Sequence, residues 1–222
     1  MKYLRILTIV LLVLAQILSL SAEENELKGY KVKRFPFYIY TDYGRKINNF
    51  IPSGWLGDFY DLKINERWSQ NPKSGKTCIQ IIYTAEHKDR AGWAGICFQS
   101  NPDNYWGTLR GGYDLTTAKR LFFYARGEKG GETIEFRMGE FKKQHKKNKA
   151  TTGLVRLTKD WNLYEINLEN MQLNDIAGGF CVIFSSKENT NGCIVYLDEL
   201  YYTDKENPIK ISKIQTFGKE RF

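Results

Sequence analysis

Three kinds of residue in this 222-residue sequence could act on a ligand: aromatics beside turn residues, carboxylates in loops, and a run of lysines. Of five tryptophans, three sit beside glycine or asparagine-rich turns, in Gly54-Trp55, Gly92-Trp93 and Tyr105-Trp106-Gly107. A sugar ring has apolar C–H faces that stack on an indole, and its hydroxyls need polar side chains nearby. Trp55, Trp93, Tyr105 and Trp106 are therefore stacking candidates, with Gln99, Asn104 and Arg110 as hydrogen-bonding partners. Trp106 stands in the most polar setting, the stretch Gln99–Trp106. Trp55 and Trp93 suit a loop surface and a core equally. Trp161, ahead of the alternating Tyr164, Ile166 and Leu168, reads as core.

Calcium needs six to eight oxygens, which turn carboxylates and amides can supply. Asn49, Asp58 and Asp198 are the candidate ligands, with Asp42 a further donor. Glycoside hydrolysis needs two carboxylates converging on one bond. Glu132, Glu135, Glu140, Asp198 and Glu199 are present, but no spacing fixes an acid and a base, and Glu135 reads as an outward strand residue. The two histidines, His87 and His145, lie in charged, loop-like stretches, and there is no GxSxG, HExxH, P-loop or dinucleotide fingerprint. A non-catalytic protein is expected.

Lys142, Lys143, Lys146, Lys147 and Lys149 surround His145, and the chain carries a net charge of +8. Such a balance favours anionic partners, acidic glycans among them, and a solvated loop is the plainer reading of the run. No zinc-finger or helix-turn-helix pattern accompanies it, so nucleic acid is not an expected partner.

The elements that must position these residues read as short strands. Tyr60, Leu62 and Ile64, then Ile134, Phe136 and Met138, then Tyr164, Ile166 and Leu168 recur at the two-residue period of half-buried strands. Residues 37–40, 77–83, 93–98, 121–125, 179–184 and 194–201 complete the set. Gly111-Gly112, Gly130-Gly131, Gly178-Gly179 and Asn191-Gly192 separate them, and no sustained helical period appears between, which indicates a β-sandwich or barrel. Lys2 and Arg5 precede an apolar run, Ile6–Leu20, that ends in small residues before Glu23-Glu24, the pattern of a secretory signal peptide. The expected organisation is a signal peptide over 1–22, a flexible segment over 23–34, a sandwich domain over 35–203 and a basic tail over 204–222. No later segment is long and apolar enough to span a bilayer. Loss of Lys2 and Arg5 with the signal leaves +6. Cys78, Cys97, Cys181 and Cys193 allow three pairings, and Cys78–Cys97 with Cys181–Cys193 are the nearest in sequence. Their apolar settings also suit buried free thiols.

Read together, several phrases resemble the galactose-binding-like β-sandwich domains of secreted bacterial proteins, the superfamily that includes many carbohydrate-binding modules. They are Asn49-Phe50-Ile51-Pro52-Ser53-Gly54-Trp55-Leu56-Gly57-Asp58, Gly92-Trp93-Ala94-Gly95, Asn104-Tyr105-Trp106-Gly107, Ala125-Arg126-Gly127-Glu128 and Tyr196-Leu197-Asp198-Glu199-Leu200. The likeness spans residues 37–202. It implies an all-β, jelly-roll sandwich of two antiparallel sheets, usually non-catalytic, with a structural calcium to which Asp198 contributes. The lysine-rich loop after Gly139 is not a shared motif. The expectation is a secreted or periplasmic domain that binds polysaccharide. Its rivals are an envelope or extracellular protein-interaction domain and a jelly-roll glycosidase.

Overall fold

The computed structural model describes residues 29–87, 90–100, 112–139 and 149–209. Thirteen strands run through them: β1 (Tyr30–Lys31), β2 (Phe37–Tyr40), β3 (Ile51–Gly57), β4 (Leu62–Trp68), β5 (Cys78–Tyr83), β6 (Trp93–Gln99), β7 (Tyr113–Asp114), β8 (Arg120–Gly127), β9 (Thr133–Met138), β10 (Ala150–Arg156), β11 (Asn162–Asn167), β12 (Gly178–Ser185) and β13 (Cys193–Thr203). One turn of 3-10 helix, Phe59–Asp61, joins β3 to β4. Among the described residues no helix is long and apolar enough to cross a membrane.

Two antiparallel sheets make a sandwich, as the alternation in the sequence requires. One has the order β10-β9-β12-β6-β3; the other runs β11-β8-β13-β5-β4, with β2 also paired to β13. In β9, Ile134, Phe136 and Met138 turn inward with no exposed surface while Thr133, Glu135 and Arg137 alternate outward. Burial of each large apolar side chain contributes about 1.5–3 kcal/mol. Aromatic rings hold the two layers in register: Phe123 of β8 lies 4.7 Å from Phe136 and 4.9 Å from Phe180 of the facing sheet. Tyr202 of β13 crosses the same interior and donates its buried hydroxyl to the Gly179 carbonyl at 2.6 Å.

Two expectations are corrected, and the cysteine pairing, which the sequence leaves open, is decided. Tyr60 belongs to the 3-10 turn and not to β4, which begins at Leu62. The segment expected to be flexible over 23–34 carries a strand where it is described: Tyr30 and Lys31 pair in parallel with Tyr113 and Asp114, and Val32 is buried. The disulfide joins Cys97 to Cys181, leaving Cys78 and Cys193 free. Register decides this, because Cys97 and Cys181 are direct partners on the adjacent strands β6 and β12. Cys78 opens β5 and Cys193 pairs with Tyr83 at its other end, so a bridge between those two would have to span a strand.

Candidate functional site

The end of the sandwich where β3 finishes and β6 begins gathers exposed aromatics. Trp55 (37% exposed) and Trp93 (38%) are joined there by Phe59 (36%) and Tyr60 (73%) on the 3-10 turn. Phe59 stacks on Tyr60 at 4.3 Å and tilts against Trp55 at 6.3 Å. Backbone geometry builds this shelf. Gly57 has φ +59°, and a Cβ there would fall 2.3 Å from the Trp93 carbonyl and 3.1 Å from its ring. Only glycine allows the strand to turn this close beneath the indole. The Asp58 N–H donates to the Trp93 carbonyl at 2.9 Å, and the Asp58 carboxylate accepts from the Gly92 N–H at 2.9 Å. Ser186, at the end of β12, donates both its N–H and its hydroxyl to the Gly92 carbonyl. Beneath the turn, buried Asp61 accepts from the His87 N–H at 3.0 Å and meets the His87 Nδ1, while its carbonyl accepts from the Thr84 N–H. The shelf therefore rests on a cross-braced set of loops.

Along the outer face of the five-stranded sheet the polar groups are already engaged. Gln99 is buried and accepts from the Ser53 hydroxyl at 3.2 Å, so it lies under the surface, not on it. The Arg137 guanidinium beside Glu135 holds that carboxyl below the usual range, helped by a hydrogen bond from Thr151. Glu135 is thus an ion-paired strand residue. Asp198 and Glu199 belong to the other sheet.

The structure brings together Trp55, Trp93 and Asp58 of the expected residues and adds Phe59 and Tyr60. The missed pair follows the turn signal Gly57-Asp58, which could have marked them as loop aromatics. Asn104, Tyr105, Trp106, Arg110 and the lysines 142–147 lie outside the described residues. The expected calcium ligands do not converge. Asn49 donates its amide to the Tyr38 and Ile47 carbonyls, Asp58 holds Gly92, and Asp198 accepts from Lys73, Ser74 and Glu199 N–H groups. Among the described residues no three His, Cys, Asp or Glu side chains are spaced to hold a metal ion. Trp161 is not core: half-buried outside the six-stranded sheet, it donates Nε1–H to the Asn71 carbonyl at 3.0 Å and lies against Arg126.

The sequence matches no known family model and no curated protein sequence. Solved carbohydrate-binding modules do match in structure over most of the chain. The family 11 module from Clostridium thermocellum, in complex with a β-1,3-1,4-mixed-linked tetrasaccharide, is 13% identical, with a TM-score of 0.47 over 73% of this chain and 93% of that one. The family 30 module of a cellulosomal cellulase from Clostridium thermocellum is 18% identical, with a TM-score of 0.46 over 78% of this chain and 100% of that one. A variant of a family 29 module is 11% identical, with a TM-score of 0.46 over 77% of this chain and 96% of that one. These are likenesses of fold, and the functional reading rests on this chain's own residues.

Proposed function

We propose that this protein is a secreted, non-catalytic carbohydrate-binding domain that holds glycan against Trp55, Phe59, Tyr60 and Trp93. The observation that carries this reading is the shelf itself: four large aromatics exposed within one braced end of the sandwich. Isolated exposed aromatics need no explanation, but a cluster held open by Gly57 and Asp58 presents flat apolar faces beside hydroxyls and carboxylates. Sugar rings match that combination. Three of the candidate acid and base residues support the non-catalytic reading, since Glu135 is committed to Arg137 while Asp198 and Glu199 lie in the opposite sheet; Glu140 lies outside the described residues. The Cys97–Cys181 disulfide supports an oxidising compartment, in agreement with the signal pattern of residues 1–22.

Calcium is not part of this proposal: Asn49, Asp58 and Asp198 are engaged with backbone groups, and the single buried oxygen of Glu199 without a partner, Oε2, falls far short of the six to eight oxygens a calcium ion needs.

Affinity electrophoresis of the mature protein against neutral and acidic polysaccharides tests the main reading. One glycan class retards the protein, and Trp93→Ala and Tyr60→Ala each weaken binding by about tenfold or more, as hot-spot aromatics do. No retardation by any glycan, or full retardation of both folded variants, overturns it.

A further inference from the structure

Beside the shelf, at the same end of the sandwich, lies a cleft of about 540 Å³ between the end of β5, the β8–β9 turn and the β12–β13 loop. That volume falls within the ~300–1,000 Å³ of small-molecule sites and far exceeds what one ion or water fills. The 3-10 turn that bears Phe59 and Tyr60 adjoins it, through the Thr84 N–H bond to the Asp61 carbonyl.

Its charge is opposite to that of the molecule. Glu128, Glu132 and Glu188 line it against a single lysine, Lys129, in a chain of net +8. Glu132 is only 7% exposed. Its Oε1 accepts from the Lys129 N–H at 2.7 Å, and its Oε2 is buried with no partner. Thr84 Oγ1, also lining the cleft, is likewise buried without a partner. A buried carboxylate oxygen left unpaired is costly and calls for a donor, best of all a charged one.

The walls are rigid. The Asn189 side chain accepts from the Thr133 N–H at 3.1 Å and donates to the Thr133 carbonyl at 2.8 Å, which ties the two loops together. Gly127 leaves room for the acid, because a Cβ there would fall 1.8 Å from Glu132 Oε2. Burial, with the Glu132 carboxylate nearby, pushes the Cys193 thiol at the cleft up to about 12, so it stays a neutral thiol.

We propose that this cleft is a second ligand site, separate from the aromatic shelf, that takes an amino sugar: a hexose ring whose protonated amine is received by Glu132 and Glu188. The carboxylates repel anionic sugars. No three of the described acidic, histidine or cysteine side chains are spaced for a metal ion. Thr84, Thr190 and the Asn191 amide supply partners for ring hydroxyls, which a simple amine would leave unused.

Calorimetric titration of the whole protein with glucosamine, N-acetylglucosamine and glucose at about pH 6, where the free amine of glucosamine is protonated, tests this. Glucosamine binds at least ~10-fold more tightly than the two neutral sugars, and Glu132→Gln and Glu188→Gln each reduce its affinity by about tenfold or more. Trp93→Ala leaves glucosamine binding unchanged, so failure here and failure of the shelf are distinguishable. If melting shows that Glu132→Gln has lost the fold, exposed Glu188 alone decides. Equal affinity for the three sugars, no binding at millimolar glucosamine, full affinity in the folded glutamine variants, or equally tight binding of spermidine overturns the proposal.

Discussion

Asp198 has no exposed surface, and its two oxygens accept three backbone N–H bonds, from Lys73, Ser74 and Glu199. Burial outweighs those bonds and pushes its carboxyl up to about 8, with the neighbouring Glu199 adding to the rise. An unfolded aspartate titrates near 3.9, so between these values the folded state binds the extra proton. The Asp198 contribution to stability is therefore complete below about pH 4 and is lost as pH rises towards 8. Melting temperatures over that range should fall more steeply for the native protein than for Asp198→Asn. At low pH the variant is the less stable, because its Nδ2 must face an N–H donor, and the difference narrows as pH rises towards 8.

The free thiols make a second residue-scale prediction. Burial pushes Cys78 up to about 12, as it does Cys193. Native protein should resist a thiol reagent near pH 8 and release two thiols on unfolding; rapid native labelling would contradict the placement. At this scale the glycines before Trp55 and Trp93 marked them as candidates without deciding between loop surface and core. Trp161 was not legible, because the two-residue period that follows it says nothing of which side of the sheet a preceding loop residue will cover.

Among the elements, the strands easiest to read are interior ones such as β9, where alternation is unbroken. The two edges of the five-stranded sheet, β3 and β10, were not read as strands, and each carries a register shift, between Pro52 and Gly54 and between Thr151 and Leu154. A bulge adds one residue to one side of a ladder and so breaks the period that reveals a strand. The disulfide was hidden for a related reason: its cysteines are 84 residues apart, and only the β6–β12 register makes them neighbours. A loop of that length implies about 4.5 kcal/mol of stabilisation in the chain-entropy model, so Cys97→Ser should lower the denaturation midpoint markedly. Gly57→Ala should cost about 1–3 kcal/mol through its strained φ, and should weaken glycan binding by displacing Trp93.

For the molecule as a whole, charge and fold class were open to the sequence, while the site was open only in part. Local turn signals exposed the aromatics; the cleft at Glu132 is assembled from three segments far apart in the chain, which no local pattern reports. If the basic excess aids binding, retardation by an acidic polysaccharide should fade towards about 1 M salt, where the screening length is about 3 Å, and retardation by a neutral one should persist.

The placement of β13 governs when all this can form. It is the last strand of the described chain, yet it lies between β8 on one side and β5, then β2, on the other. Until residues 193–203 have been made, the six-stranded sheet has no centre, and its earlier strands face each other across a gap. The five-stranded sheet has no such dependence, since all its strands precede Cys193. The six-stranded sheet, and with it the sandwich interior, closes only once β13 is in place.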